Sequence, residues 1–314
     1  MLIAVAAGKG SPGVTTTAVA LAAVWPRPVL VAECDPAGGD IVYRLPGAAG
    51  DRLDPRRGLL SLAVAARRDL QPAQLWTHAQ KLRGGLDVLL GVTTAEQGAG
   101  LEPLWGPVGS LLSGLPQADV IADCGRLGAD GPHYDLLAHA AAVVLITRPS
   151  LGEVVRLRDR ALAVAQAVRQ RGGTARVGVL VVAGHRGFSR ELAQVSQVLG
   201  RDSAVSVLGG IAFEPRSAEL LRGEWGGRLD KSLLIRTARE VAGRLAGQPA
   251  AASASARGAA RAGDPAPLPA RHAAGRGPVA GGSAGRGAAG RGGAERRAAG
   301  RSAADRPAAG PGGW

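Results

Sequence analysis

The chain has 314 residues and a formal net charge of +13, from 38 Lys and Arg against 25 Asp and Glu. Hydrophobic residues make up 46% and aromatics only 3%, so the apolar content is mostly Ala, Val and Leu, enough for one large α/β domain or two small ones. Two cysteines exclude a disulfide framework, no apolar run reaches the roughly 18 residues of a membrane span, and the first residues lack the basic segment of a signal peptide, so a cytoplasmic protein with no integral membrane segment is expected.

In chain order, short runs rich in β-branched residues or Leu predict strands at Leu2–Ala7, Val29–Glu33, Leu86–Leu90, Val120–Asp123, Ala142–Thr147, Val177–Val182 and Val205–Leu208. Stretches rich in Ala, Leu and Arg predict helices at Thr15–Val24, Leu59–Arg67, Pro72–Leu82, Ala95–Leu112, Leu151–Arg171, Arg190–Leu199 and Leu229–Ala246. Pro72 suits a first helical turn, and Gly172-Gly173 stops the long helix before the next strand. Alternation of this kind predicts an α/β fold with a doubly wound, mostly parallel sheet over residues 1–247. Ligands of such sheets bind at the carboxyl ends of the strands.

After Leu245 the bulky apolar residues nearly vanish, and Ala-Ala-Gly-Arg recurs at 273–276, 288–291 and 298–301. Residues 248–314 cannot bury enough apolar surface to offset chain entropy, so a disordered tail is expected. It holds ten Arg against three acids, which is +7 of the total. Two readings stand side by side: a solvated extension, or an Arg-Gly arm for non-specific DNA or an acidic partner.

The first predicted strand runs into Gly8-Lys9-Gly10-Ser11-Pro12-Gly13-Val14-Thr15-Thr16. Gly, four residues, Gly, a position normally Lys, then Ser or Thr is the frame of a P-loop, whose backbone N–H groups converge on a phosphate at a helix N-terminus. Thr15 then stands where a hydroxyl meets Mg²⁺, but Val14 occupies the lysine position. As a bare pattern the loop fails there, and a Gly-rich strand–helix turn is the competing reading.

Lys9 changes the balance. Lys-Gly-Ser-Pro-Gly-Val-Thr-Thr resembles the deviant Walker A loop of the ParA/MinD family, Lys-Gly-Gly-Val-Gly-Lys-Thr-Thr, with the first, signature lysine kept and the second lost. The resemblance continues in order. Glu33-Cys34-Asp35-Pro36 is similar to the family's Asp-x-Asp-Pro, and Asp40 falls in its switch I region. Ala118–Asp123 resembles Walker B, with Cys124-Gly125-Arg126 opening switch II, and Leu208–Arg216 resembles the loop near the adenine, which includes Pro215.

The resemblance implies a P-loop NTPase fold, ATP and Mg²⁺ as cofactors, and a homodimer formed on ATP binding. It implies that Gly8, Lys9, Gly10, Ser11, Gly13, Val14, Thr15, Thr16 and Pro215 contact nucleotide. Thr15 and Asp123 would serve the metal, Asp35 and Asp40 the attacking water, and Lys9 the partner's phosphates. The cargo implied is chromosomal or plasmid DNA, or a pilus or secretion complex.

The departures are Val14, Glu33 for the first Asp, and Ala183-Gly184-His185 where the family commonly has an adenine-reading Asn. A degraded P-loop is also a feature of the CpaE/TadZ relatives, which often carry an extra N-terminal domain. Three readings therefore remain at this point: an ATPase switch, a pseudo-ATPase scaffold of the CpaE/TadZ type, and a metabolic ligase or synthetase of the same superfamily. Cys34 and Cys124 are expected to be free thiols, because Cys124 follows Asp123 too closely for the cluster cysteines of the related nitrogenase iron protein. A chain ending in Ala, Gly and Arg does not resemble the amphipathic membrane helix that ends MinD proteins.

Overall fold

The computed structural model describes residues 1–66, 71–128, 131–199, 205–221 and 228–247. The stretch 248–314, expected to be disordered, lies outside the described residues.

The strands are β1 (Leu2–Ala7), β2 (Val29–Glu33), β3 (Gln80–Lys81), β4 (Asp87–Leu89), β5 (Asp119–Arg126), β6 (Ala142–Thr147), β7 (Arg176–Gly184) and β8 (Ser206–Phe213). The helices are α1 (Val14–Ala23), α2 (Ile41–Arg44), α3 (Leu59–Ala66), α4 (Leu75–His78), α5 (Ala95–Ala99), α6 (Trp105–Ser113), α7 (Tyr134–Leu137), α8 (Leu151–Gln170), α9 (Phe188–Leu199), α10 (Pro215–Leu220) and α11 (Leu233–Ala246). The sheet order is β3-β4-β2-β5-β1-β6-β7-β8. Every pair is parallel except β3 with β4.

Both faces are covered, so β1 is apolar at every position. Leu2, Ala4 and Ala6 pack with Leu112 of α6, Leu136 of α7 and Leu157 of α8 on one face. Ile3, Val5 and Ala7 pack with Leu21 of α1 and Val241 of α11 on the other. The central strands β1, β2 and β5 therefore end at one rim, where the loops that follow them meet.

Two expected helices are broken. Pro72 does take a first-turn position, but only in a 3₁₀ turn, and after α4 the chain extends at Ala79. Gln80 and Lys81 then pair antiparallel with Val88 and Asp87. The Gln80 side-chain amide donates to the carbonyls of Asp54 (2.8 Å) and Arg57 (2.7 Å), a long-range anchor that overrides helical spacing. The span 95–112 becomes α5, a 3₁₀ turn at Glu102–Leu104 and α6, interrupted at Gly100 and Pro103.

Other boundaries move for local reasons. The last helix begins at Leu233 rather than Leu229, because the Ser232 hydroxyl accepts from the Ile235 N–H at 3.2 Å and caps it. The last strand runs on to Phe213: Gly209, at φ +133°, absorbs a bulge against β7 instead of ending the strand.

Candidate functional site

The turn from β1 to α1 is shaped by two glycines. Gly10 (φ +70°) and Gly13 (φ +103°) hold left-handed conformations, and a Cβ at either would meet no atom within 4 Å. They are required by the backbone path and leave the space inside the loop open. Gly13 is the N-cap of α1, no side chain caps the helix, and no acid sits in its first turn. The first N–H groups of α1 are thus left to an external acceptor.

Facing them is a cavity of about 400 Å³. Gly10, Ser11, Gly13, Val14, Thr15 and Thr16 form one wall; Asp35, Asp40 and Asp123 form the other. Gly38, Gly39, Arg44, Gly125 and Arg126 complete it. The structure therefore brings six of the expected loop residues together with Asp35, Asp40 and Asp123, and leaves Gly8, Lys9 and Pro215 outside this cavity.

The carboxylates are fixed by the sheet. Asp123, only 2% exposed, accepts the Gly125 N–H at 3.1 Å and lies close to the Thr15 hydroxyl, which favours its ionised form. Burial nonetheless pushes it up to about 6. Asp35 stands just beyond β2, where its carboxylate accepts the Ala37 N–H at 2.8 Å. Burial raises its pKa too, opposed by that N–H and by the positive charge of Arg126. Gly125, at φ +56°, lies directly against Asp35 and has no room for a Cβ.

Glu33, the longer substitute for the family's first Asp, points away from this open space. Its two carboxylate oxygens accept the N–H of Ile41, at the start of α2, and of Gly91, just past β4, both at 3.0 Å. Gly39 packs flat against it and could carry no side chain. Glu33 thus fastens the 35–41 loop to the sheet, and burial pushes it up to about 7. Cys34 and Cys124 are buried free thiols.

Gly8 and Lys9 lie elsewhere. They line a second cavity of about 460 Å³ with Arg148, Arg156 and Arg160, on the α8 side of the loop. Pro215 lines a third space, of about 180 Å³, with Ser11, Pro12, Gly13 and Phe213. There the Arg148 guanidinium stacks 4.3 Å from the centre of the Phe213 ring. Glu214 is occupied internally, accepting from Leu234 N–H (2.9 Å) and the Ser217 hydroxyl (3.0 Å). His185 is exposed just past β7.

Sequence reading misses Gly38, Gly39 and Arg44 as cavity residues and gives Arg126 only as the opening of a switch. The available signal was a basic residue directly after a strand-end glycine.

No protein-family model matches the sequence, and no curated protein matches it. Solved structures do match. A ParA family ATPase from Chlorobium tepidum TLS superposes with a TM-score of 0.61 at 21% identity, over 77% of this chain and 98% of that one. MinD from Pyrococcus horikoshii OT3, complexed with Mg-ADP, gives 0.58 at 17% identity over 78% and 97%. McdA from Cyanothece, in complex with ATP, gives 0.58 at 16% identity over 79% and 97%. With a P-loop frame on β1 and an eight-stranded, mostly parallel sheet among the described residues, the chain has the fold of the ParA/MinD-like P-loop ATPases.

Proposed function

We propose that this protein is a ParA/MinD-like switch that binds Mg-ATP, pairs with a second copy of itself and hydrolyses ATP slowly. The observation that carries the reading is the placement of Thr15 and Asp123 together on one cavity. That cavity faces an uncapped helix N-terminus and is also lined by Asp35. The donor set fits a nucleotide with its metal: open N–H groups for phosphate oxygens, and hard oxygen ligands from a hydroxyl and a carboxylate for Mg²⁺.

When bound, Mg²⁺ neutralises charge on the transferred phosphate group. In this reading the N–H groups of the 10–16 loop would hold the phosphates, and Thr15 and Asp123 would hold the metal. Asp35 orients the attacking water and accepts its proton, with Asp40 beside it. A raised pKa makes Asp35 a stronger base once it is ionised. The solved MinD with Mg-ADP and McdA with ATP support this choice of ligand. Lys9 lies outside its own chain's metal-side cavity, as expected for a lysine that serves the nucleotide of a second copy.

Val14 favours one second reading, a scaffold that binds nucleotide and turns over little or none. The cargo would be DNA or a pilus or secretion assembly, and the basic stretch 248–314 would add salt-sensitive, non-specific DNA affinity. Light scattering with Mg-ATP, Mg-ADP and no nucleotide tests the switch. Mass should double only with Mg-ATP, and Lys9→Ala should stay monomeric. Equal mass in all samples would reject nucleotide-driven pairing.

A further inference from the structure

The lysine that a P-loop normally carries before its Ser/Thr is absent, yet the cavity it would serve is otherwise complete. Two other cations line that cavity, Arg44 and Arg126. Lys9 and Arg148 face other spaces. Arg44 is engaged: its guanidinium pairs with Asp40, four residues earlier, at 3.0 Å. Arg126 makes no ion pair or hydrogen bond of that kind through its side chain among the described residues, and it is exposed on the cavity wall.

Its position is built into the backbone. Register between β1 and β5 runs Val5 with Asp123, then jumps to Ala7 with Arg126, so β5 carries an extra residue there. A bulge of this kind re-aims the side chains that follow it. The positive φ of Gly125 accommodates it, and the Leu127 N–H locks the chain to the Ala7 carbonyl at 2.9 Å. Arg126 therefore lies beside the residue that enters the phosphate loop. Its charge is felt by Asp35, which lies against the neighbouring Gly125.

We infer that Arg126 supplies, from the end of β5, the phosphate-neutralising cation that Val14 does not provide. A guanidinium is well matched to this role, since it stays charged and can present two N–H donors to two phosphate oxygens. Before ligand arrives Arg126 faces the acidic wall; with a di- or triphosphate present it turns to the phosphate oxygens. The ligand class that follows is a nucleoside polyphosphate, with little gained from a monophosphate that ends before the β position. This inference rests on the nucleotide-binding reading above.

The test measures affinities for ATP, ADP and AMP by calorimetry in the wild type, Arg126→Ala, Arg126→Lys, Val14→Lys and the Val14→Lys/Arg126→Ala double variant. Thermal melting confirms that each is folded. Arg126→Ala should weaken ATP and ADP by about tenfold or more and leave AMP within about twofold, the loss expected for one charged hydrogen-bonding partner. Arg126→Lys should keep most of the affinity. Val14→Lys should restore ATP binding to Arg126→Ala, since position 14 lines the cavity and a long stem can carry an ammonium into it.

Unchanged ATP affinity in Arg126→Ala would overturn the inference while leaving nucleotide binding intact. An equal loss for AMP, or no rescue by Val14→Lys, would overturn it as well, making Arg126 a support for the wall. A wild type that binds no nucleotide would overturn both this inference and the function on which it rests.

Discussion

The two walls of the proposed nucleotide cavity match the ParA/MinD pattern to different degrees. On the acidic wall, Asp35 and Asp123 stand where the proposed metal and water chemistry would need them, held by β2 and β5 at the centre of the sheet. On the phosphate-loop wall the glycines and Thr15 match the family's loop, but Val14 stands at the cation's position and joins the core cluster with residues of β1. Backbone N–H groups survive such a change because they depend on φ and ψ, not on the side chain. A charge can be supplied from any nearby element, whereas the carboxylates must share one metal and one water. In this account the site should do without the cation more readily than without Asp35 or Asp123.

The largest effect that would sharpen this comparison lies on the acidic wall. Asp35→Ala should lower ATP turnover by about 10²–10³-fold, while Mg-ATP affinity stays within about threefold. Phosphate release and calorimetry on the same samples measure the two. A variant that loses binding instead would make Asp35 a ligand of metal or phosphate.

Glu33 gives an effect of similar size on stability. Its carboxyl is held at about 7 when folded, above its ordinary 4.5. The folded chain thus retains a proton that the unfolded chain has released. Its stabilising effect is complete below about pH 4.5 and is lost as pH rises through about 7, a change of roughly 3 kcal/mol. Thermal melts from pH 5 to 8 should show stability falling with pH. Glu33→Gln should flatten that slope and leave Ile41 or Gly91 N–H without an acceptor. An unchanged slope would move the titration to the carboxyls that line the cavity, Asp123 first.

A smaller effect is expected on the loop wall. Val14→Lys restores the cation in an intact backbone frame and should raise turnover about tenfold, which corresponds to ~1.4 kcal/mol. No gain, with nucleotide still bound, would mean that the acidic wall has also drifted from catalytic geometry, and the scaffold reading would lead.

Much of this site was legible in the sequence because its residues are tied to strand ends. A glycine-rich turn after a fully apolar run, and aspartates following two other short strand-like runs, fix Thr15, Asp35 and Asp123 on one rim once the sheet is parallel. The edge of the sheet was not legible. Nothing in the spacing of Pro72–Leu82 signals that the Gln80 amide will anchor the 54–57 loop and draw Gln80 and Lys81 into a strand. Arg126 escaped for a related reason. Its aim depends on a bulge that exists only in the pairing of β5 with β1, residues more than a hundred positions apart.

The most direct test of the central claim is a calorimetric titration of ATP into the full chain, with Mg²⁺ and after chelation, in parallel with Asp123→Ala. The predicted result is one site per chain in the wild type, tighter with Mg²⁺ than without, and an Asp123→Ala protein that binds ATP equally weakly in both conditions. Wild-type binding that ignores Mg²⁺, or an Asp123→Ala protein that keeps the full Mg²⁺ dependence, would contradict the assignment of Thr15 and Asp123 as the metal side of a nucleotide site.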